Sequence, residues 1–223
     1  MKFTRIWQTE SPAPTNVFLR WSCHLFFTIG ILALGYVGFV LADAKLYQAY
    51  QNRRFQRDLD ALKLPVNSGE SSTSPNLAEA DRANESPRMA GREGSPLGRI
   101  EINAIGLEVM ILEGVGVETL RRAVGHIPGT SLPGQEGNVA IAGHRDTFFR
   151  PLRNIHKDDE ITLTTLSGTH RYRVESTTIV APEDVAVLDD SGEAILTLVT
   201  CYPFNIVGSA PQRFIVRAHR SPG

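Results

Sequence analysis

Residues Asp159 to Val180 read DEITLTTLSGTHRYRVESTTIV. Two runs of alternating character meet at Ser167 and Gly168. Alternation with period two is the mark of a half-buried strand, and a short Gly-containing break between two such runs marks a hairpin. The same pattern recurs on both sides. GRIEINAIGLEVMILEG, Gly98 to Gly114, is a strand, a tight turn near Ala104 to Gly106, and a strand. NVAIAGH, Asn138 to His144, ILTLVTC, Ile195 to Cys201, and RFIVRAH, Arg213 to His219, are further strands. Val117 to Val124 suits one short helix, and RDTFFRPL suits a turn or short helix. HIPGTSLPGQEG and APEDVAVLDDSGEA are loops, the second with a short helical core. About eight short strands within 97–223 predict an all-β domain, a small closed barrel or a sandwich.

The N-terminal half is different. No charged residue lies between Arg20 and Asp43, and WSCHLFFTIGILALGYVGFVLA, 21–42, has the length and apolarity of a membrane-spanning helix. A cleaved signal peptide is the competing reading, because Leu41, Ala42, Asp43 and Ala44 include small residues suited to cleavage. The basic residues on either side nearly balance and do not set an orientation. Residues 43–64 carry good helix formers, with Leu46, Tyr50, Phe55, Leu59 and Leu62 near helical spacing, and continue the anchor as a stalk. Residues 65–96, rich in Ser, Pro, Gly, Asn and Glu, form a disordered tether. The expected order is therefore a tail (1–20), an anchor (21–42), a stalk (43–64), a tether (65–96) and one domain (97–223).

Composition narrows the function. The chain of 223 residues has a net charge of −1, +2 over 1–96 and −3 over 97–223, so no basic field exists to hold nucleic acid. Two cysteines, Cys23 and Cys201, exclude a disulfide-stapled scaffold. Cys23 lies in the apolar segment as a small filler. No HExxH, CxxC, GxSxG or phosphate loop is present.

Cys201 ends a β-run just before a Pro-containing loop, where catalytic groups often project. A histidine close in space would make it a nucleophile, by accepting the thiol proton or stabilising the thiolate. The domain offers His126, His144, His156, His170 and His219. His144 ends an apolar strand, after a Gly143 that lets another chain pack closely; His126, in a Gly/Pro loop, is the second choice. Arg213 and Arg217 share one strand face, and periodicity does not separate them as the cation beside a thiolate or oxyanion. Glu183, Asp184, Asp189, Asp190 and Glu193 cluster in one loop and are either calcium ligands or a solvated surface.

At TLVTC, Thr197 to Cys201, the chain resembles the TLxTC signature of sortases, membrane-anchored bacterial cysteine transpeptidases. GHRDTFF, Gly143 to Phe149, resembles the block around the sortase histidine, and APQRFIVRA, Ala210 to Ala218, resembles the arginine block. GHIPGT, Gly125 to Thr130, and CYPF, Cys201 to Phe204, resemble class D. The lid motif of the pilin-polymerising class is not seen, and the loop between Val180 and Ile195 is short.

The resemblance implies an eight-stranded closed barrel with short helices, with His144, Cys201 and Arg213 converging at one end and His126 structural. It implies an extracytoplasmic domain that cleaves an LPxT-like sorting signal of exported proteins and transfers the acyl group to an amine of peptidoglycan or protein. No cofactor is required, with calcium as an activator left open. Thr200, Leu198 and Val139 are the candidate substrate contacts, although strand residues such as Val139, Ile141, Leu196 and Leu198 serve equally well as core. Two readings compete: an endopeptidase that hydrolyses the same peptides, and a non-catalytic tethered barrel that binds them.

Overall fold

The computed structural model describes residues 15–63, 91–190, 192–206 and 208–221. The chain divides into two compact units, Met1–Asp43 and Ala44–Gly223. One helix, α1 (Thr15–Lys63), runs through both. In the first unit its side chains are almost all exposed, Leu25, Phe26, Phe27, Leu32 and Phe39 among them. The helix holds a stretch long and apolar enough to cross a membrane, with a mean hydropathy of 2.3 in its best window and none of that window buried.

The second unit is a closed barrel, which decides between the barrel and the sandwich that the strand pattern left open. Its strands are β1 (Pro96–Ile102), β2 (Leu107–Glu113), β3 (Val124–His126), β4 (Asn138–Ala142), β5 (Glu160–Thr165), β6 (Gly168–Val180), β7 (Ile195–Tyr202) and β8 (Gln212–Arg220). A short helix, α2 (Val117–Arg122), links β2 to β3. Around the barrel the order is β1-β2-β3-β4-β7-β8-β6-β5, and β5 pairs with β1 to close it. Closure leaves no open sheet edge. The β5–β6 hairpin turns at Thr165 and Gly168. Two pairings are parallel, β2 with β3 and β4 with β7. Ile100, Ile102, Val139, Ile141, Tyr172, Val174, Leu196, Leu198 and Val216 are among the side chains that fill the interior.

Two boundaries differ from the sequence expectation. The domain begins before Leu97: Gly94 N donates to Glu113 O and Glu113 N to Ser95 O, both at 2.8 Å, and Pro96 already belongs to β1. Residues 91–96 therefore pack with the barrel, while 65–90 of the expected tether, and residue 64 of the expected stalk, lie outside the described residues. The stalk is helical as read, but a different face is in use. Leu46 and Tyr50 are exposed, whereas Phe55 is only 5% exposed. Amide side chains do the docking. Gln48 Nε2 donates to Arg122 O at 2.5 Å, and Gln48 Oε1 accepts from Met110 N at 3.0 Å. Asn52 Oδ1 accepts from Arg99 Nη1 at 2.9 Å. The Arg122 guanidinium stands over the Tyr47 ring, 5.2 Å from its centroid.

Polar groups gather at the end of the barrel where β4 and β7 begin and β8 finishes. Arg220 Nη2 donates to His170 Nδ1 at 2.8 Å, and Arg220 Nη1 lies 3.4 Å from Glu136 Oε1. Burial, with the Arg220 charge second, holds His170 below the ordinary histidine pKa of 6.5. Burial raises the Tyr172 phenol above 10.0, with Arg220 opposing and Glu136 reinforcing the shift.

Candidate active site

At the other end of the barrel, β4, β7 and β8 lie side by side. Leu196, Leu198, Val216 and Ala218 point into the core, so alternation turns Val199, Cys201, Arg213 and Ile215 outward. The β7–β8 register makes Cys201 and Arg213 direct cross-strand partners. Arg217 pairs instead with Thr197, near the far end of the strand. Register thus separates two arginines that alternation could not. Arg213 Nη1 is oriented by the loop behind it, donating to Ala210 O at 3.3 Å and Gln212 O at 3.0 Å.

β4 runs parallel to β7 with Ala142 opposite Val199, and Gly143 N still donates to Val199 O at 3.1 Å. Cys201 lies two residues beyond Val199, and His144 lies two beyond Ala142, the last residue of β4. Two bonds fix its backbone, Phe149 N and Thr147 N donating to His144 O at 3.1 and 3.3 Å. The close approach expected at Gly143 is made by Phe149: a Cβ on Gly143 would meet Phe149 Cδ2 at 2.7 Å. Cys201 and Arg213 are thus neighbours across β7 and β8, and His144 follows the end of the adjacent β4; His144 is exposed and the other two are half-buried.

The other histidines are held elsewhere. His126, 2% exposed, has Nδ1 2.9 Å from Glu113 Oε2 and Nε2 3.0 Å from Ser131 O. Thr130 Oγ1 also lies 3.1 Å from Nε2, so neither ring nitrogen is left over for a substrate. His219 lies between Glu175 and Glu193, at 2.9 and 3.5 Å. His156 is exposed on the loop before β5, and His170 belongs to the opposite end.

The three expected substrate contacts are corrected. Val139 and Leu198 are wholly buried in the core, and Thr200 Oγ1, inside the barrel, donates to Gly143 O at 2.8 Å. Their parity is the reason. Residues one or three positions from Cys201 on a strand face away from it, and those two away share its face. The half-buried side chains beside Cys201 on the outer face are Val199 and Ala142, which sequence reasoning passed over although alternation counted back from Cys201 selects Val199. Further along this face, Asn138 Nδ2 donates to Val187 O and Asp189 O at 3.1 and 3.2 Å, tying the β6–β7 loop to β4.

In that loop, Glu183, Asp184, Asp189 and Asp190 are exposed, while Glu193 faces His219. Among the described residues, no group of three or more His, Cys, Asp or Glu is placed to hold a metal ion. A cavity of about 520 Å³ lies away from Cys201, where Phe55 of α1 faces the Leu132–Gln135 loop and the Thr165–Ser167 turn. This cavity lies beside the docked helix, not beside Cys201.

Residues 100–221 match the sortase domain model. The chain belongs to the sortase family. It is 31% identical over 194 residues to Sortase D of Bacillus subtilis, covering 86% of this chain and 93% of that relative. Among solved structures, a Clostridium perfringens sortase D5 transpeptidase is 26% identical with a TM-score of 0.60, covering 80% of this chain and 98% of that one. A Clostridium perfringens sortase C, solved with a C-terminal cell wall sorting motif, is 26% identical with a TM-score of 0.56, covering 67% and 92%. The chain is thus a sortase-family cysteine transpeptidase of class D type.

Proposed function

We propose that Cys201, His144 and Arg213 form the reacting group of a membrane-anchored sortase that cuts an LPxT-like signal of exported proteins and transfers the acyl part to an amine. The observation that carries this reading is the β7–β8 register: the domain's single cysteine has Arg213 as its cross-strand partner, and His144 follows two residues after the end of β4, the strand parallel to β7.

The Cys201 thiolate attacks the Thr carbonyl carbon, forming an S–C bond and a tetrahedral oxyanion. Arg213 faces the oxyanion with a fixed positive charge. The C–N bond breaks as His144 gives its proton to the leaving amine. The thioester is then attacked by an incoming amine, whose proton passes to His144, and the thiolate departs. Thiol, proton and acyl group are all accounted for, so no redox partner enters. Peptidoglycan or a protein supplies the second amine, and water gives slow hydrolysis. The similar sortase C, solved with the C-terminal cell wall sorting motif, supports this substrate class. The apolar length of α1 supports a single-pass anchor; the side on which the domain lies follows from the sortase reading.

The test uses the full chain in detergent, LPxT-type peptides and a glycine-type or diaminopimelate-type amine. Mass spectrometry is expected to find an acyl group on Cys201 and an amine-dependent ligated product, and neither with Cys201→Ala. Hydrolysis unchanged by any amine would identify the endopeptidase instead. Full transfer by Cys201→Ala would overturn the assignment of the nucleophile.

A further inference from the structure

Arg145 follows His144 directly, carries a permanent charge, and is only 3% exposed. Burying a guanidinium costs several kcal/mol unless its donors are satisfied. Here they are satisfied by the opposite side of the site. Nη1 donates to Pro203 O at 2.7 Å, and Nη2 donates to Gly208 O at 3.1 Å. Nε lies 3.2 Å from Asp146 Oδ1, and Nη2 lies 3.3 Å from Asp146 Oδ2. Pro203 stands two residues after Cys201, and Gly208 stands five before Arg213. The two carbonyls therefore lie on the outgoing and returning limbs of the β7–β8 loop, whose ends carry Cys201 and Arg213.

We infer that Arg145 is a positioning residue that clamps both limbs of the β7–β8 loop to the His144 segment and so sets the spacing of His144, Cys201 and Arg213. This rests on the reading of those three as the reacting group. The planar fork matters, because two carbonyls at different points of one loop are reached together by a guanidinium and not by a single ammonium. The Asp146 carboxylate, largely in solvent, offsets the charge, taking Nε and sharing Nη2 with Gly208 O while Nη1 goes to Pro203 O. Arg145 moves no proton and touches no reacting atom in this scheme. It acts by keeping the loop from relaxing away from His144.

The experiment compares the full-length wild type, Arg145→Lys and Arg145→Ala, with Cys201→Ala as the reference for the reacting group. Three quantities are read: kcat and KM for peptide-to-amine transfer, the thermal midpoint, and the pH profile of Cys201 alkylation by iodoacetamide, taken per folded molecule. Arg145→Lys keeps the charge and much of the volume and guards against a variant that fails to fold. It is expected to lose about tenfold or more in kcat, the scale on which small misplacements cost rate, with KM nearly unchanged and a shifted alkylation profile. A merely structural role would lower the thermal midpoint but leave kcat and the alkylation profile of the folded fraction unmoved, and that result overturns the inference. Wild-type kcat in Arg145→Lys also overturns it. If Cys201→Ala is inactive while Arg145→Lys is fully active, only the clamp falls. If Cys201→Ala transfers normally, the reading beneath it falls.

Discussion

His126 and His144 show how two histidines in one small domain divide between structure and chemistry. The first is enclosed, with acceptors at both ring nitrogens and the Glu113 carboxylate as its partner. Removing one member of a buried pair leaves the other without compensation, a loss of about 3 kcal/mol. His126→Ala is therefore expected to unfold at clearly lower temperature while each folded molecule keeps normal kcat. Calorimetry together with active-site titration of Cys201 checks both halves.

His170 makes a different prediction. Its pKa is lowered in the fold, chiefly by burial and then by Arg220, so below the ordinary value of 6.5 the unfolded chain binds more protons than the native one. The stability this group contributes is present above 6.5 and is lost as pH falls toward the lowered native value. The groups facing it, Arg220 and beyond it Glu136, keep a positive charge beside the ring. His170→Gln is expected to flatten the fall of thermal midpoint with acid relative to wild type. Parallel slopes for the two proteins would refute it.

At the scale of elements, the stalk departs furthest from its sequence pattern. Leu46 and Tyr50 announce an apolar stripe but remain exposed, whereas the amides Gln48 and Asn52 meet the barrel. The physical reason is the partner surface. Met110 N on β2 points outward and needs an acceptor once a helix covers it, and Gln48 Oε1 supplies one. Gln48→Ala is expected to speed hydrogen exchange at the Met110 amide. Phe55→Ala is expected to cost about 3 kcal/mol at most, the lower end of the range for a buried Phe. If neither change moves exchange at Met110 or the thermal midpoint, the stalk is not docked in solution. The strands behaved more simply: β1, β2, β5, β6 and β7 fall where alternation and turn residues set them, because each has one face in the core.

For the whole molecule, the division into Met1–Asp43 and Ala44–Gly223 sets where it should be cut. A chain starting at Ala44 keeps the docked helix and the Gly94–Ser95 bonds to Glu113. It is expected to leave the membrane fraction and retain transfer between soluble peptide and amine. A chain starting at Leu97 loses both sets of contacts and is expected to unfold at lower temperature. Fractionation and thermal unfolding of the two test this directly. Equal thermal midpoints would count against the stalk as part of the folded unit.

The sequence by itself determined the all-β class, the long apolar N-terminal helix and its continuation, and the short blocks around His144, Cys201 and Arg213. Each depends on local periodicity or on adjacent residues, which a linear chain displays. Only the tertiary structure decided which residues share a face across strands. Register set Arg213 rather than Arg217 opposite Cys201, parity sent Val139 and Leu198 into the core, and closure of the barrel brought Arg145 within reach of Pro203 and Gly208. These relations turn on strand register, on a one-residue shift of parity, or on contacts between positions more than 50 residues apart, and they are fixed by the packing of one strand on the next.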